Sequence, residues 1–311
     1  MAKVVKRKLR IKWKNFIIFI IIVISILFII IKGISLIIST IKNSLDNKTE
    51  VKTEEKVKPK KTNKDKTELE KKYDQLENIN NKITYFNDAY IDRYIKYKND
   101  NPDLDIEKVI IDVNIGLDKE VYTEAEKAIN LNTPTILVNK YYYLENNYVP
   151  NNLEKISSNY ALSNMKLVNV AKDAYEEMAK AAQKDKRKLV VMSAYRSYDY
   201  QVNLYNRYAK KDGTDKADTY SGRPGFSEHQ TGLAFDLYNG KTVYTRFEET
   251  KEFEWMQENA YKYGFILRFP KDKERETGYV YEAWHYRYVG KEIAKEIKEK
   301  NITLEEYIAT H

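Results

Sequence analysis

Two short segments near the carboxyl end of the chain contain residues that could bind a metal ion. The first holds His229 and Asp236, seven residues apart, and the second holds Glu282 and His285. A catalytic zinc ion typically takes three protein ligands from His, Asp or Glu and leaves one position open. The chain has three histidines, and two of them fall in these segments. The pattern predicts a metal site formed by His229, Asp236 and His285, with a ligand set that suits Zn²⁺ best among divalent ions.

Two further residues are expected to act on a substrate at this site. Glu282, three residues before His285, is placed to take a proton from a water whose pKa the ion lowers. Arg196 follows a predicted strand, and its planar fork could grip a carboxylate or stabilise an oxyanion. Taken singly, each residue also has a structural explanation. Asp236 could cap a strand, Glu282 could be a surface acid, and Arg196 could form a structural ion pair.

The elements that must position these residues have the pattern of an α+β fold. Apolar residues at steps of three and four predict helices over Met165–Gln183 and Glu249–Tyr263. Ser197 is a candidate cap for another helix, and glycines with a proline predict a loop over Lys211–Phe226. Four strands and a closing helix complete the domain: Leu189–Met192, Leu233–Leu237, Phe265–Phe269, Trp284–Val289 and Gly290–Lys300. We therefore expect a small antiparallel sheet flanked by helices.

The amino-terminal segment has a different composition. Residues 1–15 are basic, and Phe16 to Ile31 is apolar apart from Ser25. Because the hydrocarbon core of a bilayer is about 30 Å thick, a spanning helix would extend to Ile38. A cleaved signal peptide is the alternative, but the apolar stretch is long and lacks an Ala-x-Ala site. The basic flank predicts a single-pass cell-membrane protein with a cytoplasmic amino terminus and an extracytoplasmic catalytic domain.

In the predicted domain organisation, a transmembrane helix and a linker or stalk precede the α+β domain. The predicted units are a cytoplasmic basic tail (1–15), a transmembrane anchor (16–38), a disordered linker (39–68), a helical stalk or accessory region (69–136) and a catalytic domain (137–311). The net charge of +8 first suggests nucleic acid as a partner, but no motif supports that interpretation. Cysteine is absent, which is compatible with an extracytoplasmic location. The oligomeric state is left open.

The two segments resemble a known family. Ser227, His229, Gly232, Ala234 and Asp236 match the pattern Ser-x-His-x-x-Gly-x-Ala-x-Asp, and the second segment matches Glu-x-Trp-His through Glu282, Trp284 and His285. From roughly Leu137 to Lys300 the sequence resembles the D-alanyl-D-alanine carboxypeptidases of the vancomycin-resistance type. The resemblance implies a single zinc-peptidase domain that removes the terminal D-alanine from peptidoglycan stem peptides.

The resemblance also implies roles for individual residues. His229, Asp236 and His285 correspond to zinc ligands, Glu282 to the general base and Arg196 to a residue that stabilises the reacting carbonyl oxygen. The predicted substrate-binding residues are Ser227, Gln201, Tyr195 and Trp284. An L,D-carboxypeptidase, a D,D-dipeptidase or another muropeptide peptidase would share the same metal and base. A non-catalytic wall-binding module, or a receptor or scaffold role for 69–136, are further alternatives.

Overall fold

The computed structural model describes residues 83–311, which all belong to one compact unit. Nine α-helices lie in this range: α1 (Ile91–Asp100), α2 (Ile106–Ile115), α3 (Asn169–Lys184), α4 (Tyr198–Asp212), α5 (Thr214–Tyr220), α6 (Lys251–Asn259), α7 (Glu274–Thr277), α8 (Lys291–Lys300) and α9 (Leu304–Ala309). The strands of the same range are β1 (Glu126–Lys127), β2 (Tyr142–Tyr143), β3 (Leu153–Lys155), β4 (Lys166–Val168), β5 (Val190–Ser193), β6 (Ala234–Tyr238), β7 (Phe265–Leu267) and β8 (His285–Tyr288). Short 3-10 helices cover Asp88–Tyr90, Glu228–Thr231, Tyr244–Glu249 and Ala260–Tyr263.

A four-stranded antiparallel sheet positions the candidate site. Its strand order is β5-β6-β8-β7, and β6 is buried along nearly its whole length. In the register, Asp236 of β6 lies opposite His285 of β8 and opposite Ser193 of β5. Residues paired in this way point to the same face with their β-carbons roughly 5 Å apart. The sheet itself therefore brings one candidate carboxylate and one candidate imidazole together.

The other face of β6 packs against helix α3. Side chains alternate across a strand, so Phe235 points away from Asp236. The Phe235 ring lies 4.8 Å from that of Tyr175 in α3 and 5.1 Å from that of Phe265 in β7, measured between centroids. Phe235 and Tyr175 are completely buried. One face of the strand thus anchors the core, which leaves the opposite face free to carry polar groups.

A pair of helices, α1 and α2, precedes the sheet. Helix α2 begins where the Asp105 side chain accepts a hydrogen bond from the Lys108 amide, and it ends at Gly116, whose φ of 101° is left-handed. The pair is joined to the carboxyl-terminal part of the chain by polar contacts. Asn114 donates to the carbonyl of Ala309 in α9 at 3.0 Å. The described part of the predicted accessory region therefore packs on the end of the chain.

Most predicted elements of the α+β domain are confirmed. The four predicted strands overlap β5 and β6 and contain β7 and β8, and the predicted helices contain or overlap α3, α4, α6 and α8. The loop over Lys211–Phe226 is wrong in part, because Thr214–Tyr220 forms α5. Ala217 is completely buried in that helix, and the ring of Tyr220 contacts the ring of Tyr208 at 5.2 Å. The glycines of this segment flank the helix. The helix itself is short and has too few apolar residues to show a helical spacing in the sequence.

The predicted fold class needs one correction. It joined the α+β domain to a transmembrane helix, but within residues 83–311 the structure contains no helix that is both long and apolar enough to cross a membrane. The segment for which the span was predicted, 16–38, lies outside the described residues, as do the predicted tail (1–15) and linker (39–68). The fold is accordingly described as α+β alone. The domain boundary at 136/137 stays a prediction.

Candidate active site

The three candidate metal ligands converge at one end of the four-stranded sheet. His229 lies in the 3-10 helix before β6, and Gly232 turns the chain into the strand with a left-handed φ of 68°. His229 Nε2 is 3.4 Å from Asp236 Oδ2, and His285 Nδ1 is 3.1 Å from Asp236 Oδ1. One donor atom from each of the three residues lies within 4.8 Å of the others. The predicted triad is therefore assembled, and all three side chains are buried.

The second nitrogen of each imidazole is hydrogen-bonded to an oxygen that can only accept a hydrogen bond. His229 Nδ1 lies 2.7 Å from the carbonyl oxygen of Ala194, and His285 Nε2 lies 3.0 Å from Glu228 Oε1. Each of these nitrogens must carry the proton. The remaining nitrogen of each ring can then offer its lone pair beside Asp236. Two neutral imidazoles and one carboxylate are a donor set that fits zinc, so the residues present fit the predicted ion.

The three side chains have pKa values that are shifted by burial and by the charged groups around them. Burial by itself would raise the pKa of Asp236, but the neighbouring His229 and Arg196 hold it well below its usual range. Burial, together with the charge of Arg196, lowers the pKa of His229. Burial would also lower the pKa of His285, but hydrogen bonds to Asp236 and Glu228 outweigh it and raise the value to about 9. The site therefore holds a permanent carboxylate that attracts a proton or another cation.

Glu282 lies next to this triad. Its Oε2 is 3.6 Å from His285 Nδ1, and its side chain lines the same cavity as the three ligands. The residue is 6% exposed, and burial raises the pKa of its carboxyl to about 8. Its backbone is fixed because its amide donates to the Phe269 carbonyl at 3.0 Å. A buried carboxyl with a raised pKa beside a cavity has the properties of a proton-transfer group.

Arg196 is bound directly to the triad. Its Nη2 donates to Asp236 Oδ2 at 2.5 Å, and both Nε and Nη2 donate to the Ser193 hydroxyl. The structural ion pair considered from the sequence is thus present. Arg196 also lines the cavity beside the triad. A structural ion pair with Asp236 and a contact with a bound molecule are therefore compatible for Arg196.

A cavity of about 400 Å³ opens beside the triad. Ser227 and Trp284 line it, and Trp284 packs edge-to-face on Tyr244 with centroids 5.1 Å apart. Much of the remaining wall is aromatic, formed by Tyr200, Tyr208, Tyr220, Phe226, Phe269 and Tyr279. This tyrosine-rich wall was not predicted, because its members come from several separate segments with no shared spacing.

Two of the predicted substrate-binding residues lie away from the cavity lining. Gln201 is only 2% exposed, and its amide donates to the Gly222 carbonyl at 2.7 Å and to the Ser221 hydroxyl at 3.3 Å. Gln201 therefore holds the segment that carries the cavity wall. Tyr195 is half-buried outside the lining, and burial raises its pKa. A direct contact of either residue with a substrate stays a prediction.

Sequence reasoning missed Glu228. It stands between Ser227 and His229 and is 4% exposed, with its carboxylate on the far side of His285 from Asp236. The only signal in the sequence was an acid beside a candidate ligand. Its partners Arg268 and Arg287 are 40 and 59 residues away, so no local pattern could have identified them.

Comparisons with known proteins cover the part of the chain that contains this site. The family model described as VanY, D-alanyl-D-alanine carboxypeptidase, matches residues 164–291, which include both motifs. The bifunctional D-Ala-D-Ala dipeptidase and D-Ala-D-Ala carboxypeptidase VanXYC of Enterococcus gallinarum is 32% identical over 178 residues, which are 55% of this chain and 91% of that protein. The chain belongs to the VanY-type D-alanyl-D-alanine carboxypeptidase family.

Two further similar proteins extend the comparison. YodJ of Bacillus subtilis (strain 168), a protein named as a carboxypeptidase, is 44% identical over 184 residues, 55% of this chain and 65% of YodJ. A solved structure of the LdcB LD-carboxypeptidase is 40% identical with a TM-score of 0.55, covering 62% of this chain and 92% of that one. The match spans less than two thirds of YodJ, and 36% of a D-alanyl-D-alanine carboxypeptidase of Enterococcus faecium.

Proposed function

We propose that this protein is a zinc-dependent D,D-carboxypeptidase that removes the terminal D-alanine from peptidoglycan stem peptides. The observation that carries the proposal is the convergence of His229, Asp236 and His285 with Glu282 in the wall of one cavity. Membership of the VanY-type family supports the substrate class. Because peptidoglycan lies outside the cytoplasmic membrane, we further propose that the domain acts outside the cytoplasm.

Each of these residues would have a distinct role in the reaction. His229, Asp236 and His285 would hold the ion, which supplies positive charge to polarise a carbonyl and lower the pKa of a water. Glu282 would accept a proton from the attacking water on Oε2 and pass it to the departing amine of D-alanine. Arg196 would donate hydrogen bonds to the oxygen on which negative charge develops.

Specificity would be determined by the wall of the cavity. Ser227 and Trp284 line the same cavity as Glu282, so we expect them to contact the bound peptide. The aromatic side chains around them would exclude water from the reacting groups, which strengthens each electrostatic contact. These residues are the proposed contacts for the stem peptide.

An L,D-carboxypeptidase acting on the tetrapeptide is the second candidate. The specific observation in its favour is the 40% identity to the LdcB LD-carboxypeptidase, with 92% of that chain covered. The two activities require the same ion and base and differ in the chirality of the residue before the cut bond. The metal site alone is therefore equally suited to either activity.

The test is hydrolysis of two synthetic stem peptides by the full-length protein, one ending in D-Ala-D-Ala and the other being the tetrapeptide. Each reaction is run with zinc and with a chelator, beside Glu282→Gln and the control Glu276→Gln. Glu276 is a buried acid of α7 whose carboxylate binds Lys108, with no contact to the triad. We expect a loss of about 10²–10⁴-fold in kcat for Glu282→Gln, and little change for the control.

The outcomes separate the candidates. Chelator-sensitive release of D-alanine from the first peptide, lost in Glu282→Gln, supports the D,D-enzyme. Release from the tetrapeptide alone would transfer the assignment to the L,D-enzyme. If zinc binds stoichiometrically and neither peptide is cut, the proposal of catalysis on stem peptides is wrong and a wall-binding role becomes the better explanation.

A further inference from the structure

A buried carboxylate lies behind the candidate metal site and takes no part in the proposed reaction. Glu228 Oε1 accepts the hydrogen bond of His285 Nε2 at 3.0 Å. Its other oxygen, Oε2, accepts from Arg268 Nε at 2.8 Å and from Arg287 Nη1 at 3.3 Å. The side chain is 3% exposed, and both arginine side chains are fully buried. Glu228 therefore connects His285 to a group of buried charges.

The two arginines are themselves held by distant parts of the chain. Arg268 forms a two-pronged pair with Glu305 of α9, with Nη1 to Oε2 at 2.9 Å and Nη2 to Oε1 at 2.6 Å. Arg287 donates to the carbonyls of Pro134 and Ile136 at 3.0 and 2.6 Å. Two carboxylates and two guanidiniums make the group electrically neutral. Each donor therefore has a fixed acceptor, and Glu228 has little freedom to move.

The hydrogen bond between Glu228 and His285 determines which nitrogen of the imidazole carries the proton. The guanidiniums of Arg268 and Arg287 both contact Glu228 Oε2, and two opposite charges at hydrogen-bond distance favour the ionised carboxylate. An ionised carboxylate can only accept, so His285 must keep its proton on Nε2. The lone pair of the ring is then on Nδ1, the nitrogen beside Asp236. A carboxylate behind a ligating histidine fixes both the tautomer and the orientation of the ring.

We propose that Glu228 is a positioning residue for His285 and that α9, through Glu305 and Arg268, holds Glu228 in place. The inference rests on the metal site of the proposed function, but not on the identity of the substrate. The end of the chain is thus part of the support of the metal site.

The experiment measures zinc affinity of the full-length protein after chelator treatment, by competition with a chromophoric chelator. The variants are Glu228→Gln, which removes the charge, and Glu228→Asp, which keeps the charge but withdraws the carboxylate by one methylene. The matched control is Asp112→Asn. Asp112 is completely buried and paired with Lys108 and Arg275, with no contact to the triad or to Glu228.

We expect Glu228→Gln to bind zinc about 10–100-fold more weakly than the original protein. Glu228→Asp should also weaken binding, because the shorter side chain cannot reach His285 and Arg268 together. Asp112→Asn should lose stability but keep its zinc affinity. If Glu228→Gln does not fold, the decision rests on Glu228→Asp, which retains the charge balance of the core.

A second measurement follows the Nε2 proton of His285 in the metal-free protein. The Nε2 proton of His285 is buried and bonded, so it should give an exchange-protected imidazole N–H signal in NMR spectra that disappears in Glu228→Gln. The inference is overturned if the Glu228 variants keep their zinc affinity, or if Asp112→Asn weakens zinc binding as much as they do. Failure of the original protein to bind zinc would instead overturn the proposed function.

Discussion

Replacement of Gly232 by alanine tests how the chain brings His229 and Asp236 together. Gly232 ends the 3-10 helix that carries the histidine and precedes the strand that carries the aspartate. Its amide donates to the His229 carbonyl, and its carbonyl accepts from the Val168 amide at 2.9 Å. A side chain at this position would disturb the backbone conformation and the packing at the same time.

The expected loss of unfolding free energy in Gly232→Ala is the sum of a backbone cost and a packing cost. A non-glycine residue at the φ of 68° observed for Gly232 costs about 1–2 kcal/mol. An added Cβ would lie 2.9 Å from Leu153 Cδ2 and 3.0 Å from Val168 Cγ2, which are closer than normal contacts. Overpacking of this kind costs about 1–3 kcal/mol. The sum is a loss of about 2–5 kcal/mol, a large share of the roughly 5–15 kcal/mol that stabilises a domain.

The matched control is Gly116→Ala. Gly116 also has a left-handed φ, of 101°, but its added Cβ would come no closer than 3.5 Å, to the ring of Tyr141. It should therefore lose only the backbone cost of about 1–2 kcal/mol. The assay is urea unfolding of the full-length variants, together with zinc affinity. Equal losses of unfolding free energy in the two variants would refute the packing argument, and unchanged zinc affinity in Gly232→Ala would refute the link to the site.

Three further outcomes are expected. Burial would raise the pKa of Asp218, but hydrogen bonds from Arg223 and a tyrosine outweigh it and lower the value. The stability from Asp218 is thus fully present above about pH 4 and lost as the pH falls through the folded-state pKa, so Asp218→Asn should weaken the acid dependence of urea midpoints. Thr303→Ala removes the capping box of α9 and should cost about 0.5–2 kcal/mol in thermal unfolding, whereas an unchanged curve would contradict this. Arg196→Lys loses the planar fork and should lower kcat about 10²-fold or more at saturating zinc; a change in KM alone would contradict its proposed role.

Much of the fold could be predicted because it is recorded in local patterns. The alternation around Asp236 predicted β6, and the three-to-four spacing of apolar residues predicted α3. The helix α5 escaped prediction because it is seven residues long and its buried side is little more than Ala217. Short elements of this kind depend on contacts made after the chain has folded.

The sequence by itself determined the chemical identity of the site. His229 and Asp236 are close in the chain, and Glu282 and His285 lie in one short segment, so residue type and spacing were enough to select them. The tertiary structure decided how they meet: the register between β6 and β8 places Asp236 opposite His285. It also decided the position of Gln201, which the family pattern suggested as a substrate contact and which lies buried behind the cavity wall.

The support of the metal site belongs entirely to the tertiary structure. Glu228, Arg268, Arg287 and Glu305 come from four separate segments of the chain, and their charges balance only when the sheet and the last helix are in place. A buried charge is tolerated only beside an opposite charge, and nothing in a local window shows which distant residue will supply it. The ligands could be found from the sequence because they share a motif, whereas the residues that orient them could not, because long-range packing alone brings them together.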